Sequence, residues 1–300
     1  MAIATTSPAA PPLAPAELRR PRSPLAKVVR RLPVWLAIAL LLLIELYPLF
    51  WMLSSSLKSQ DEFVSQPAWA LPDTLNWQNY SEAFTTGRLA QYALNSLLAT
   101  GPSLAFIILF GTAAGFALEV LIFKGRATIL LMFLAGIMIP GQMILLPLFN
   151  IYFRMGITGT LWPLILTYSA TGLPLTVFMM ATYFRAVPRE IFEAATIDGA
   201  SMLRAFFSIG FPMVRNAVFT VALVQFFFIW NDLLVALTFS NSTDSATIQV
   251  GLLNFSGEFG STQYGPLFAA ICVNVLAILV IYLFLNQRIM RGLTAGSLKG

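Results

Sequence analysis

Residues 193–200 read Glu193-Ala194-Ala195-Thr196-Ile197-Asp198-Gly199-Ala200. Two acids, three alanines and a glycine stand here in a chain otherwise dominated by Leu, Phe, Ile, Val and Ala. Small side chains flanked by carboxylates suit close docking against another protein, with the helix seated in a partner's groove. They do not suit bond-making chemistry. The chain has no His and a single Cys, Cys272, inside an apolar run. That excludes a His/Cys metal site, a Cys–His nucleophile and an internal disulfide. No G-x-x-x-x-G-K-[ST] phosphate loop is present, so the chain does not bind ATP in that way. Glu45, Glu119 and Asp232 lie in or near apolar runs, where an ionisable group is costly and marks a candidate functional position.

The elements that must position these residues are membrane spans. Of 300 residues, 58% are hydrophobic and 10% charged, whereas soluble domains carry about a quarter charged residues. The expected fold class is all-α integral membrane: six transmembrane helices in a kinked bundle, with a cytoplasmic helix–turn–helix. Apolar segments fall at about 32–54, 90–122, 127–153, 161–184, 214–239 and 266–286. Each reaches the ~20 residues that a ~30 Å hydrocarbon core demands. Residues 1–31 form a basic Ala/Pro-rich leader, and 32–300 the transmembrane domain with a tail at 287–300. Pro and Gly inside the runs (Gly101-Pro102, Pro140-Gly141, Gly172 with Pro174) predict kinks satisfied by neighbouring helices.

Charge orients the spans. With an internal N-terminus, fifteen Lys/Arg fall inside and three outside, the three being Lys58, Arg88 and Arg154. This positive-inside bias places both termini, and the 186–213 loop, on the cytoplasmic side of the membrane. The net charge of +5 is spread along the chain rather than gathered on one face, so nucleic acid is not an expected partner. Trp35, Trp51 and Trp162 fit interfacial anchoring.

Within 186–213, Pro188 suits the first turn of a helix. Glu190 and Glu193 sit near the positive end of its dipole, and Asp198-Gly199 ends it. A second amphipathic helix is expected at about 200–210, with Pro212 marking the return to the membrane. A helix lying on lipid would carry Lys/Arg on its polar face; this one carries Glu190, Glu193 and Asp198. Asn95, Gln142, Asn150, Tyr168, Gln225, Asn231 and Asn274 are the neutral polar residues in or near the spans, and Asn95, Gln142, Tyr168 and Asn231 are the pathway candidates among them. Two roles are open to them: lining a path for a polar solute, or bonding between helices.

EAATIDGA followed by FFSIGFP resembles the EAA signature of permeases from binding-protein-dependent ABC importers. The tail LTAGSLKG (293–300) resembles that of the smaller permease in maltose-type sugar importers. YPLFWMLSSSLK (47–58), NSL (95–97) and FIWNDLLVAL (228–237) have the same look, and the resemblance covers about 33–300. Phe211 departs from the Leu more usual before the proline. The resemblance implies a permease subunit for a sugar or oligosaccharide, without its own ATPase site and with no cofactor of its own. It further implies a different sister permease, two ATPase subunits that use ATP and Mg, an external solute-binding protein, and membrane lipid around the spans. Glu190, Glu193, Ala194, Ala195, Asp198, Gly199 and Pro212 would couple to the ATPase, and Gly296, Lys299 and Gly300 would touch it from the tail. The competing reading is a stand-alone secondary transporter of a small polar solute. It would call for repeated halves and ion-coupling residues at mid-depth, and neither is visible.

Overall fold

Long apolar runs free of charge form helices here because in lipid every backbone N–H and C=O must be satisfied within its own segment. The computed structural model describes residues 24–240, 242–255 and 262–296, with side chains described from 32 to 283. Its elements are α1 (Pro24–Ser55), α2 (Gln60–Ser65), α3 (Gln78–Phe84), α4 (Leu89–Val120), α5 (Arg126–Ile137), α6 (Gly141–Arg154), α7 (Trp162–Arg185), α8 (Arg189–Ile197) and α9 (Met202–Ala205). A π-helical turn (Phe206–Gly210) follows, then α10 (Phe211–Trp230), α11 (Leu234–Phe239), α12 (Ile248–Leu253) and α13 (Tyr264–Gly296). There is no strand among the described residues. The all-α membrane class expected from the sequence holds. Among the described residues five helices are long and apolar enough to cross a membrane, and there are six spans if the bent pair α5–α6 counts as one.

Residues up to Phe50 form one unit and those from Trp51 onward another. In the first, α1 exposes its apolar side chains along Leu32–Phe50, a surface suited to hydrocarbon.

Within the second unit α4 and α7 lie closest together, and glycine is the reason. Gly111 and Gly115 are four apart on one face of α4. A Cβ on Gly115 would fall 2.7 Å from Met180 Cβ and 2.8 Å from the Ala181 nitrogen, and one on Gly111 would collide with Thr176. Small residues at this spacing let helix backbones approach in lipid, where dispersion rather than water drives association. Gln225 of α10 joins the pair, its amide donating to Gly172 O at 3.0 Å and to Thr176 Oγ1 at 2.9 Å.

Three boundaries differ from the sequence expectation. The run 127–153 is kinked at Pro140-Gly141 as expected, but so sharply that it divides into two helices: α5 and α6 meet at 93°. Pro140 lacks an N–H and its ring blocks the preceding turn, so the helix restarts at Gly141. The run 214–239 ends at Trp230, and Asp232 starts α11 by accepting the N–H groups of Val235 and Ala236. The separate helix expected at 200–210 is instead four residues of α9 that run through the π turn into α10. Phe211 N–H bonds back to Phe206 O, a widened turn that admits Pro212 without a break. Pro212 therefore lies in the first turn of α10, not at a return loop.

At the end of the unit that holds α2 and α3, polar bonds organise the loops. Ser59 and Glu62 close a capping box on α2. Asn79 donates to Ser56 O and Lys58 O, and Arg88 pairs with Asp244 at 2.8 Å.

Candidate coupling surface and solute pocket

The stretch that opened the sequence reading is α8 and its C-terminal stop. Pro188 sits at the N-cap, one residue earlier than its first-turn placement, with Glu190 in the first turn. The helix ends because Gly199 adopts φ +76°, a left-handed conformation that glycine enters without strain. Gly199 N–H then bonds to Thr196 O, and Ala200 N–H to Ala195 O. These paired bonds satisfy the last carbonyls as in a Schellman stop. Ser201 Oγ accepts from Arg204 N–H and starts α9.

This turn sorts the helix into two faces. Phe192 and Ala195 are buried, while Glu190, Glu193, Ala194, Asp198 and Gly199 are exposed. Ala195 thus packs into its own chain, leaving Ala194 as the alanine that a partner can touch. Beside the acids stand bare apolar side chains: Ile197 is 86% exposed, Leu203 71% and Met202 63%. Pro212 is exposed on α10.

The inward face meets an aromatic cluster. Phe116 of α4 lies 5.4 Å from Phe184, 5.5 Å from Phe192 and 5.3 Å from Phe206, ring centre to ring centre. One turn further along α4, Glu119 accepts both Nε (3.2 Å) and Nη2 (3.0 Å) of Arg185. Arg189, the first residue of α8, approaches the same carboxylate at 3.9 Å. Packing and charge from one face of α4 therefore hold α8 to the spans. The sequence marked Glu119 as costly in an apolar run; Arg185 and Arg189 explain how it is accommodated.

A cavity of about 550 Å³ lies at the α5–α6 bend, bounded also by α7, α10 and the α10–α11 break. Of the four polar candidates within spans, the structure places only Tyr168 on it. Its hydroxyl donates to Asp232 Oδ1 at 3.0 Å. Asn95 is buried and fixes a loop, donating to Asp244 O and Ala246 O. Asn231 donates to Phe227 O within its own helix, and Gln142 is exposed on α6; neither borders the cavity. Thr171, Gln225 and Asp232 do border it. Asp232 and Gln225 stood out in the sequence as polar groups in apolar runs, but their convergence depends on the break after Trp230, which hydropathy alone does not locate.

Gly296 is the last residue of α13, and Lys299 and Gly300 lie outside the described residues. Among the described residues no group of three or more His, Cys, Asp or Glu side chains could hold a metal.

Kinked apolar helices around a largely apolar cavity, with a short acidic helix exposed at one end, are the architecture of a multi-pass membrane protein. Residues 107–293 match the family described as binding-protein-dependent transport system inner membrane component, and the chain belongs to that family. It is therefore a permease subunit of a binding-protein-dependent importer, a multi-pass protein of the inner membrane. The diacetylchitobiose uptake system permease protein NgcG of Streptomyces coelicolor is 35% identical over 85% of each chain. The sulfoquinovosyl glycerol transport system permease protein SmoH of Agrobacterium fabrum is 32% identical, over 89% of this chain and 93% of its own. Among solved structures, a bacterial ABC transporter for import of the acidic polysaccharide alginate has a chain of similar fold. That pair has a TM-score of 0.76 at 17% identity, covering 89% of this chain and 99% of the other.

Proposed function

We propose that this permease carries a sugar or oligosaccharide inward, receiving it from an external binding protein and drawing its energy from ATPase subunits that dock on α8. A different permease subunit completes the path, and ATP and Mg act on the ATPase partners alone. Both termini and α8 face the cytoplasm, in keeping with the fifteen-to-three charge bias. The sugar class is supported by the relatives, whose names specify diacetylchitobiose and sulfoquinovosyl glycerol.

One observation carries the coupling role. The outer face of α8 and α9 combines exposed Glu190, Glu193 and Asp198 with exposed Ile197, Met202 and Leu203, while the inner face is anchored to α4 by Phe192 and Arg189. A helix so built can receive a push on one side and deliver it to the spans on the other. Contiguous bare apolar groups rimmed by polar ones mark a protein interface.

The test is to purify the chain through an affinity tag, identify the ATPase that accompanies it, and screen the cognate binding protein against a sugar panel by thermal shift. The expected result is a co-purifying ATPase and a sugar that stabilises the binding protein. Isolation of a chain that transports alone, without nucleotide, would contradict the proposal.

A further inference from the structure

The cavity at the α5–α6 bend has an unusual polar inventory once each proton is assigned. Tyr168 spends its O–H on Asp232 Oδ1. Thr171 spends its own on Thr167 O at 2.8 Å. Gln225 spends its amide on Gly172 O and Thr176 Oγ1; Gly172 O can only accept, which fixes which end of the amide is nitrogen. Asp232 Oδ1 is saturated by Tyr168, Val235 and Ala236, and Oδ2 accepts no hydrogen bond from the described residues.

The side-chain polar atoms left for a ligand are Asp232 Oδ2, Gln225 Oε1 and the lone pairs of Tyr168 and Thr171. All are acceptors. Among the described residues no Lys or Arg borders the cavity, and the chain contains no His. A volume of about 550 Å³ falls in the range of ~300–1,000 Å³ typical of small-molecule sites, and its walls are otherwise apolar. A site whose side chains accept but do not donate is complementary to a solute rich in O–H groups. It opposes one bearing a carboxylate or sulfonate, which would face Asp232 with no side-chain cation or donor to offset its desolvation.

We infer that this cavity is a subsite of the solute path that takes a neutral, hydroxyl-rich solute, with Asp232 and Gln225 accepting its hydroxyl protons, and that it disfavours acidic sugars. This rests on the sugar-import reading and narrows it, since the relatives and the fold neighbour include handlers of both kinds.

The test uses proteoliposomes holding this chain with its sister permease and ATPase subunits, supplied with the cognate binding protein. Neutral probes are diacetylchitobiose and melibiose with other neutral oligosaccharides; acidic probes are sulfoquinovosyl glycerol and an alginate pentasaccharide. The variant Asp232→Asn keeps the side chain's shape and an oxygen for the α11 cap but turns the free acceptor into a donor. Uptake of a neutral probe is expected, with KM raised roughly tenfold in D232N, the scale of one lost hydrogen bond, and kcat changed less. Thr171→Val, which removes one acceptor at an exposed position, should raise KM by a smaller factor. Neutral uptake with wild-type KM in both variants overturns the subsite while leaving the import reading intact. Uptake of acidic probes in preference to neutral ones overturns the solute class. Failure to take up any saccharide overturns the import reading and the subsite with it.

Discussion

The ring of Phe192 meets that of Phe116 edge-on, with centroids 5.5 Å apart and an interplanar angle of 73°. One ring belongs to the short helix α8, the other to the 32-residue span α4. Removing it leaves a cavity in a cluster that also contains Phe184 and Phe206, and Phe→Ala changes in such places cost about 3–5 kcal/mol. The loss should fall locally, on the docking of α8. Phe192→Ala should therefore expose residues 189–201 to protease and lower uptake, with Phe192→Leu intermediate. Wild-type protease resistance of that loop in F192A would contradict this placement.

Gly115 tests the close approach of α4 and α7. Gly115→Val places a carbon bearing two methyl groups where Met180 and the backbone of Ala181 already stand. Overpacking of this kind costs about 1–3 kcal/mol, so the purified complex should melt several degrees lower. An unchanged melting temperature would mean that the two helices do not touch there.

The comparison of sequence with structure separates two kinds of information. Hydropathy locates the spans because hydrocarbon imposes the same demand on every backbone, whatever the neighbours. Local stop chemistry is equally readable: Asp198-Gly199 ends α8 through a positive φ that the residue type anticipates. What hydropathy misses depends on competition between alternatives. The Pro140-Gly141 pair marks a kink but not its 93° angle, and mean hydropathy stays high across Asn231-Asp232, so that run looks continuous although its hydrogen bonding is not. The passage through Pro212 is missed for the opposite reason, because the preceding π turn absorbs a residue that normally interrupts. Asn95 shows the limit at side-chain level. A polar residue in an apolar run signals a bonded partner, but only the fold says that the partners are carbonyls of the Asp244 loop and not a solute.

Glu119 tests the charged half of the α8 anchor. Glu119→Gln keeps the side chain's size but removes the charge that Arg185 and Arg189 share. Because both arginines are more than half exposed, the stability loss should be at most about 1 kcal/mol. Coupled uptake in the wild type should weaken as salt rises and lose most of that dependence in E119Q. Identical salt profiles for the two proteins would show that the pair contributes nothing to α8.

A pH prediction follows from the capping box on α2. Backbone and side-chain hydrogen bonds from Ser59 hold the Glu62 carboxyl below its ordinary value of 4.5. Its folded-state value is depressed, so its contribution to stability is present in full above 4.5 and fades as pH falls through the folded value. Hydrogen exchange of residues 60–65 should accelerate below about pH 4.5 relative to the neighbouring α3, and Glu62→Gln should abolish that pH step. Uniform exchange across both helices at all pH values would contradict it.

The central claim is that an ATPase partner packs against the tip of α8. Gly199 is its most direct probe, since among the described residues no atom beyond its chain neighbours lies within 4 Å of a Cβ built there. Added bulk at this position meets a partner and nothing else, apart from a backbone strain of roughly 1–2 kcal/mol for a left-handed L-residue. The decisive measurement is the ratio of solute taken up to ATP hydrolysed in proteoliposomes carrying Gly199→Val, with Gly199→Ala as the control for strain. The account predicts normal membrane abundance in both, a ratio near wild type in G199A and a fall of roughly tenfold or more in G199V, the scale of ~1.4 kcal/mol lost at the interface. A wild-type ratio in G199V would contradict it.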